Sequence, residues 1–410
     1  MVNKQEPRKA SLILSYNGIN AEKDLSGNYE SFSYVDVASG EADTISITVS
    51  NQSGQWLNRY MPEDGDYVEA SIVTENWNKE GDKKKLSCGM FDLDNVKASG
   101  YPETVEISGI TMPIRTNFNV TLKSRQFSKT TVKTILSDIC AGAGITLSYE
   151  SEDYPVKEAE QSEKTDLDFA FSLCKDHNLS MKLYNRKMVV YDQTTYEKKK
   201  PAYTIDKTEM QTYSFRCQKS KLYDSVRVQY TDPGNDTTLT YFYKIPGSDG
   251  KRTLYINQQV DSVQEAEIVA KAKLLENIRG AKSISIKVKG DTRHIAAQNI
   301  MISGLGKLDG KYFVERVTHS KNAKDIYTCT IKAHPCVTDT TFSTSTPAPK
   351  EQVVKGGTTY IVVKGDCLWM IAKKFYGSGA KYTLIYNANR GIIKNPSLIF
   401  PGQVLTIPAE

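Results

Sequence analysis

The chain has 410 residues, a length that predicts two to four domains. Its 53 Lys and Arg residues against 48 Asp and Glu residues give a formal charge of +5, and 39% of the residues are apolar, which is typical of a soluble globular protein. The longest apolar run is the stretch from Cys367 to Ala372, far below the roughly 20 residues that a membrane-spanning helix needs. We therefore expect no membrane span.

The N-terminus and the cysteines predict synthesis in the bacterial cytoplasm without a signal peptide. The first residues, MVNKQEPRKASLILSY, carry scattered charges and no apolar core. The seven cysteines contain no CxxC pair, which fits a reducing compartment. Residues 360–410 carry six basic and two acidic side chains, while the remaining 359 residues carry 47 basic and 46 acidic ones. Because basic and acidic side chains nearly cancel in residues 1–359, we expect no nucleic-acid-specific site.

Residues 1–119 are predicted to form a first β-barrel domain. Ile45, Ile47 and Val49 alternate with polar residues, the pattern of a half-buried strand. Turn signals such as the EDGD stretch at 63–66 separate the apolar runs. Short strands at this spacing indicate an antiparallel barrel or sandwich.

Residues 120–200 are predicted to form a small α+β domain inserted after the barrel. Ser128 is a candidate N-cap for an amphipathic helix that ends near Gly142. The apolar face of this helix consists of Val132, Ile135, Leu136, Ile139 and Cys140. Thr165 with Asp168 forms an acidic variant of a capping box, which predicts a second helix up to Asn178.

Residues 201–337 are predicted to form a second β-barrel domain. Apolar alternation returns in three stretches, at Val226, Val228 and Tyr230, at Ile284, Ile286 and Val288, and at Tyr312, Val314 and Val317. One helix interrupts the strands, with Ser262 and Glu265 as its capping box and Gly280 as its stop. Residues 338–356, rich in Thr, Ser and Pro, read as a flexible linker.

Residues 357–410 are predicted to form a small β-α-α-β module. Asp366 is a candidate N-cap for its first helix, and Pro401 with Gly402 predicts a turn into its last strand. The segment resembles the LysM glycan-binding module along its full length, through Tyr360, Val362, Gly365, Asp366, Leu368, Ile371, Ala372, Asn389, Pro401, Gly402, Gln403, Leu405, Ile407 and Pro408.

The LysM resemblance implies a site for N-acetylglucosamine chains in a shallow groove between the loop after the first strand and the loop before the second. The implied groove residues are Gly365, Asp366, Cys367, Leu368, Asn395, Pro396, Leu398 and Ile399. Cys367 stands where the family usually has Thr or Ser, and a thiol is a weaker hydrogen-bond donor than a hydroxyl. As an alternative, these loops only cap and pack the module, or the module clamps neighbouring proteins.

Two segments of the long N-terminal region are similar to the late control protein D family, the central hub of contractile phage tails and related injection machines. The first match comprises Thr165, Asp166, Phe169, Leu173 and Cys174, and the second comprises Asp309, Gly310, Tyr312, Val314, Val317 and His319. Ala170 and Phe171 depart from the usual Phe-Leu of the family. The resemblance implies two hub-type barrels in a structural, mainly β protein with an α+β insert.

The same resemblance implies a baseplate hub of a contractile phage tail, a phage tail-like bacteriocin or a related injection machine. The hub would be a homotrimer that joins the tail tube protein to a spike or tip protein. Its further partners would be the tape-measure protein and inner baseplate proteins, with peptidoglycan as the ligand of the LysM module. Assembly would place it in the virion or the tail-like particle.

Few residues are available for catalysis or metal binding, so we expect no enzyme, no cofactor and no metal. Cys329, His334 and Cys336 form a cluster without a fourth ligand at zinc-type spacing. We expect the Cys174 thiol to be buried in the core and the His177 imidazole to be solvated. Two other functions stay open: a peptidoglycan hydrolase that its LysM module targets, with a Cys-His or paired-carboxylate site, and a wall-anchored binding protein unrelated to tails.

Overall fold

A computed structural model of the chain describes residues 7–20, 29–112, 118–232, 237–245, 248, 250–258, 260, 263–322, 326–337, 358–362, 366–393, 395–396, 398–400 and 403–408. The predicted linker at 338–356 lies outside these residues. The described residues fall into two compact units. One contains those of Ser225–Lys244, Thr253–Ala270 and Thr344–Glu410, and the other contains the rest.

The first predicted barrel region consists of antiparallel strands. They are β1 (Lys9–Tyr16), β2 (Ile19–Asn20), β3 (Tyr29–Val37), β4 (Thr44–Ser50), β5 (Tyr67–Glu75), β6 (Lys83–Ser99) and β7 (Thr104–Ile110). In β4, Ile45, Ile47 and Val49 are buried and their neighbours are half-buried, because successive side chains point to opposite faces of a strand. The alternation therefore identified this strand correctly.

The insert has the predicted α+β composition. Its elements are β8 (Lys123–Thr131), α1 (Val132–Ala143), β9 (Thr146–Glu150), β10 (Pro155–Lys164), α2 (Asp166–Asp176), β11 (Leu179–Tyr184), β12 (Lys187–Asp192) and α3 (Gln193–Lys198). The predicted apolar face of α1 is buried. Thr165 caps α2 by accepting a hydrogen bond from the Asp168 amide at 3.0 Å, as predicted. The N-cap of α1 is Thr131, however, because Ser128 belongs to β8, where it pairs with Glu158.

We refer to residues 1–337 as the body of the chain. After the insert, the body contains the elements β13 (Thr204–Asp206), β14 (Met210–Cys217), β15 (Ser225–Asp232), β16 (Thr237–Lys244), β17 (Thr253–Ile256), α4 (Val263–Ala281), β18 (Lys282–Lys289), β19 (Asn299–Ser303), β20 (Gly310–Asn322) and β21 (Thr328–Pro335). Helix α4 ends at Ala281, one residue after the predicted stop at Gly280. Ser262 of its predicted capping box lies outside the described residues.

Both predicted barrel regions contribute to one 13-stranded sheet. Its order is β14-β18-β21-β20-β3-β4-β7-β6-β5-β1-β2, with β19 beside β20 and β13 beside β19. The two regions join where β20 pairs antiparallel with β3, and there His319 lies opposite Tyr34 with their rings stacked 5.6 Å apart. One hydrophobic core contains buried residues from both regions, including Ile47 and Ile286.

Strand β15 does not belong to this sheet, although the sequence predicts it as part of the second barrel. It pairs antiparallel with β16 and parallel with β17 in a separate three-stranded sheet. Val226 and Val228 are buried as the alternation predicts. Alternation identifies a strand with one buried face, but it does not choose the partners of that strand.

A buried ionic cluster fastens the insert to the first barrel region. The Lys182 ammonium on β11 binds the carboxylate of Asp36 on β3, and its Nζ lies 3.1 Å from Oδ2 of Asp43 and 2.9 Å from the Val37 carbonyl oxygen. Burial raises the pKa of Asp43 to about 7, while the Lys182 charge opposes this rise. A second bond runs from the Tyr191 hydroxyl to the Ala38 carbonyl oxygen at 2.9 Å.

The C-terminal module has the predicted β-α-α-β order. It consists of β22 (Thr358–Ile361), α5 (Leu368–Tyr376), a 3₁₀ turn (Gly379–Lys381), α6 (Tyr382–Ala388) and β23 (Val404–Ile407). Its own core contains Val362, Leu368, Ile371, Ala372, Ile385, Ile393, Leu405 and Ile407. The fold is thus mainly β with an α+β insert and a C-terminal α+β module, as predicted. Every helix in the described part of the chain is too short or too polar to span a lipid bilayer.

Candidate functional site

The two loops of the predicted groove leave the same end of the small sheet. Strands β22 and β23 are antiparallel, and Ile361 at the end of β22 pairs with Val404 at the start of β23. The Val362 amide donates to the Gln403 carbonyl oxygen at 2.9 Å, which extends this pairing by one step. The chain therefore enters the first loop and leaves the second at neighbouring points.

The first loop differs from the prediction at its helix cap. Cys367, not Asp366, is the N-cap of α5, and its side chain makes no capping hydrogen bond. The Asp366 carboxylate instead accepts a hydrogen bond from the Tyr360 hydroxyl, and this bond raises the pKa of Tyr360. Cys367 is exposed, whereas Leu368 is buried in the core of the module. Gly365 lies outside the described residues.

The second loop exposes part of its predicted residues. Asn395 and Leu398 are exposed, while Pro396 and Ile399 are half-buried. A turn joins them, with the Leu398 amide donating to the Asn395 carbonyl oxygen at 3.0 Å. Of the described groove residues, Cys367, Asn395 and Leu398 are thus accessible to a ligand, and Leu368 is a core residue.

Four further apolar side chains of this module expose half of their surface or more and were not predicted from the sequence: Trp369, Met370, Ile392 and Phe400. Phe400 follows the predicted second loop, and Trp369 and Met370 lie on α5. Their signal was present in the sequence, because Trp369 and Met370 fall outside the buried stripe of Leu368, Ile371 and Ala372. The Phe400 amide donates to the Gln403 side-chain oxygen at 2.8 Å, which fixes the end of the loop.

The cysteine and histidine cluster of the body does not converge on a metal site. The thiol of Cys329 lies 3.2 Å from Nδ1 of His319. His334 contacts glutamates instead, and the Cys336 thiol lies 3.4 Å from the side-chain oxygen of Asn299. Across the described residues, no three His, Cys, Asp or Glu side chains are placed to hold a metal ion.

The pair formed by Cys329 and His319 has the wrong electrostatics for a nucleophile. Both side chains are fully buried. Burial raises the pKa of the Cys329 thiol to about 12 and lowers the pKa of His319 to about 4. A reactive cysteine needs a lowered thiol pKa beside a charged imidazole. The two residues therefore belong to the core.

Cys174 and His177 do not form a reactive pair either. Cys174 is buried on α2, as predicted, and burial raises its thiol pKa. His177 is half-buried, and its Nδ1 lies 2.8 Å from the Leu173 carbonyl oxygen. The imidazole therefore closes the end of α2 and is less solvated than the sequence suggested.

Comparison with known proteins identifies the C-terminal module. The family model for the LysM domain matches residues 360–408. The potassium binding protein Kbp of Escherichia coli O6:H1 is 42% identical over 72 residues, which cover 18% of this chain and 44% of that protein. The chain spans less than half of the length of the curated relatives it matches.

Solved structures share the fold of the body at low identity. The tail protein from Neisseria meningitidis MC58 superposes with a TM-score of 0.61 at 13% identity, over 79% of this chain and 96% of that one. The 43 kDa tail protein of prophage MuSo2 from Shewanella oneidensis gives 0.60 at 12% identity, over 80% and 98%. A type VI secretion system component from E. coli gives 0.50 at 12% identity, over 80% and 77%. The chain therefore combines the fold of these tail and secretion proteins with a LysM domain.

Proposed function

We propose that this chain is the structural baseplate hub of a contractile phage tail, a tail-like bacteriocin or a related injection machine, where it joins the tail tube to a spike or tip protein. The observation that carries the proposal is the extent of the shared fold, which covers nearly the whole length of two tail proteins, one of them from a prophage. A hub needs a rigid scaffold more than a reactive site, and the pairing of β20 with β3 links both barrel regions through one sheet.

The hub is proposed to be a homotrimer. Three chains with two barrels each give six barrel positions, which lets a threefold ring match a sixfold tube. The tube and the spike would dock on opposite faces of this ring, with the tape-measure protein at its centre and inner baseplate proteins around it. The proposed domains keep the predicted boundaries, at 1–119, 120–200, 201–337, 338–356 and 357–410. Synthesis in the cytoplasm would precede assembly into the particle.

The LysM domain is proposed to bind peptidoglycan through the groove between its two loops. Cys367, Asn395 and Leu398 are exposed in loops that leave the same end of the sheet, and Phe400 adds an exposed ring beside them. Sugar rings pack their apolar faces against such side chains, while exposed backbone groups bind hydroxyl and acetamido groups. A clamp on a neighbouring baseplate protein is the alternative use of the same surface.

The test combines light scattering with a peptidoglycan pull-down of the full chain. A trimeric mass, alone or after addition of tail partners, supports the hub, and retention on peptidoglycan supports the groove. Leu398→Ser with Phe400→Ser should lose retention, while Leu384→Ser on α6, which is also exposed, should keep it. A chain that stays monomeric with every tail partner contradicts the hub. Equal retention of all variants contradicts the groove.

A peptidoglycan hydrolase is the second candidate function. The buried Cys329 and His319 argue against a thiol nucleophile there. The paired carboxylates of Glu197 and Glu315 are both bonded to His334, which leaves neither of them poised as a proton donor. Clearing of cell-wall substrate by the purified chain in a zymogram would support this alternative.

A further inference from the structure

A basic cleft of about 530 Å³ lies at the end of the large sheet. Four cationic side chains line it, and they come from distant parts of the sequence: Arg8, Lys9, Lys289 and Lys321. The described residues that line the cleft include no Asp or Glu. Four positive charges around one concave surface create a potential that attracts an anion.

Neutral groups hold two of these ammonium groups in place. The Lys289 Nζ donates to the Trp77 carbonyl oxygen at 2.8 Å and lies 4.9 Å from the centre of the Trp77 ring. The Lys321 Nζ donates to the Tyr29 hydroxyl at 3.2 Å and lies 5.3 Å from that ring. These contacts orient both lysines without neutralising their charge.

The acidic groups nearest to Lys289 are engaged elsewhere. The Asp82 carboxylate accepts from the Trp77 amide at 2.7 Å, and that of Asp291 accepts from the Asn78 side chain at 3.0 Å. Burial and the charge of Arg8 lower the pKa of Lys289, and the two aspartates offset this only in part. A further carboxylate in the cleft would relieve this unfavourable electrostatic balance.

The cleft also borders two strands of the 13-stranded sheet that have an unpaired edge: β14, which ends the strand order, and β1, which lies next to the short last strand β2. Lys9 and Ala10 belong to β1, and Gln211 belongs to β14. Within the described residues, β14 pairs only with β18, and Lys9–Leu14 of β1 pairs only with β5. Gln211 sits at a register shift between Met210 and Thr212. Unpaired strand edges present backbone N–H and C=O groups to an added strand.

We propose that this cleft binds an extended acidic segment of a partner protein, which adds a strand at the sheet edge and places its carboxylates against Arg8, Lys9, Lys289 and Lys321. In an extended strand every second side chain faces the same side, so alternating acidic residues meet the cations while the backbone pairs with the edge. A nucleic acid would satisfy the charges but not the backbone groups. The inference goes beyond the proposed hub function and does not depend on it.

The experiment measures binding of a fluorescein-labelled peptide, acetyl-VEVEVEV, to the full chain by fluorescence anisotropy at about 0.05 M salt, where charge pairs are weakly screened. Lys289→Gln with Lys321→Gln should weaken binding about tenfold or more, because each removes a charge-assisted hydrogen bond. The matched control is the double variant Lys133→Gln with Lys187→Gln, which changes two exposed lysines of the insert. This control should bind the peptide like the wild type.

Two competing ligands separate the parts of the proposal. The peptide acetyl-PEPEPEP carries the same charge but no amide donor at its proline positions, so it should compete poorly. A short DNA duplex should compete only at higher concentration. The proposal is overturned if acetyl-VEVEVEV does not bind, if both lysine pairs have equal effects, or if the proline peptide or the duplex binds as well. Arg8→Gln with Lys9→Gln replaces the first variant if that variant does not fold.

Discussion

The side chain of Asn389 bonds the backbone of Thr406 in both directions. Its Nδ2 donates to the Thr406 carbonyl oxygen at 2.6 Å, and its Oδ1 accepts from the Thr406 amide at 2.8 Å. A third bond runs from Nδ2 to the Ile385 carbonyl oxygen at 2.7 Å. The amide thus acts as a strand partner for β23 and ties it to the end of α6. Asn389 is buried, so water does not replace these bonds.

Asn389→Ala should therefore destabilise the LysM domain by about 2–3 kcal/mol, since it leaves buried backbone groups without partners. Hydrogen exchange of the amides in Val404–Ile407 measures the effect in the full chain. Asn387→Ala is the control, because Asn387 is exposed on the same helix and bonds only to Arg390 among the contacts described. Unchanged protection of these amides in Asn389→Ala would contradict the structural role.

Replacing Cys367 by Thr should stabilise helix α5 by about 1 kcal/mol. The N-cap position has extended backbone angles and no capping side-chain bond, and a threonine hydroxyl there accepts from a free amide of the first turn. If the groove binds glycan, Cys367→Thr should also increase retention on peptidoglycan. Cys217→Thr, at another exposed cysteine, serves as the control. A lower unfolding temperature of Cys367→Thr would refute the capping argument.

Replacing two glycines by alanine should reduce stability to different extents. A Cβ at Gly290 would lie 2.3 Å from the ring of Tyr327, which is fully buried, and a Cβ at Gly379 would lie 2.1 Å from the indole of Trp369, which is half exposed. Gly290→Ala should cost about 1–3 kcal/mol because the Tyr327 ring has no room to move. Gly379→Ala should cost less, because the indole can rotate into solvent. Urea unfolding compares the two, and a larger loss at Gly379 would reverse the argument.

Stability of the body should depend on pH through His334. Its imidazole is buried between Glu315 and Glu197, at 2.8 and 3.2 Å. Burial opposes the charged form of His334, but the two carboxylates outweigh it and raise its pKa above the usual 6.5. Burial likewise opposes ionisation of both glutamates, yet their bonds to His334 keep each glutamate pKa below its usual 4.5.

The sign of the pH effect follows from these directions. Because the pKa of His334 is raised in the folded state, the protonated imidazole stabilises the folded chain. This contribution is fully present below pH 6.5 and is lost as the pH rises through the folded-state pKa of His334. The glutamate contribution is present above pH 4.5 and is lost as the pH falls. His334→Gln should remove the decline above pH 6.5 and lower stability at pH 6 by about 1–3 kcal/mol. Urea midpoints across this range test it, with His177→Gln as the control that keeps the decline.

Local sequence patterns predicted most of the secondary structure, because they depend on residues a few positions apart. The bond between Thr165 and Asp168 spans three residues, and the buried face of α1 repeats with the helical period. Two predicted caps failed because another partner competed for each of them. Ser128 lies in a strand paired with β10, and the Asp366 carboxylate bonds the Tyr360 hydroxyl.

The mainly β class, the α+β insert and the LysM module with its two loops could all be predicted from residue patterns alone. Three features could be seen only in the folded chain: β20 pairs with β3, β15 lies outside the large sheet, and Lys289 and Lys321 line one cleft with Arg8. The β20–β3 pairing and the cleft join residues more than two hundred positions apart, as does the bond from the Trp77 indole to the Gly290 carbonyl oxygen. Periodicity reports which face of an element is buried, but the partner of that face is chosen by the packing of the whole chain.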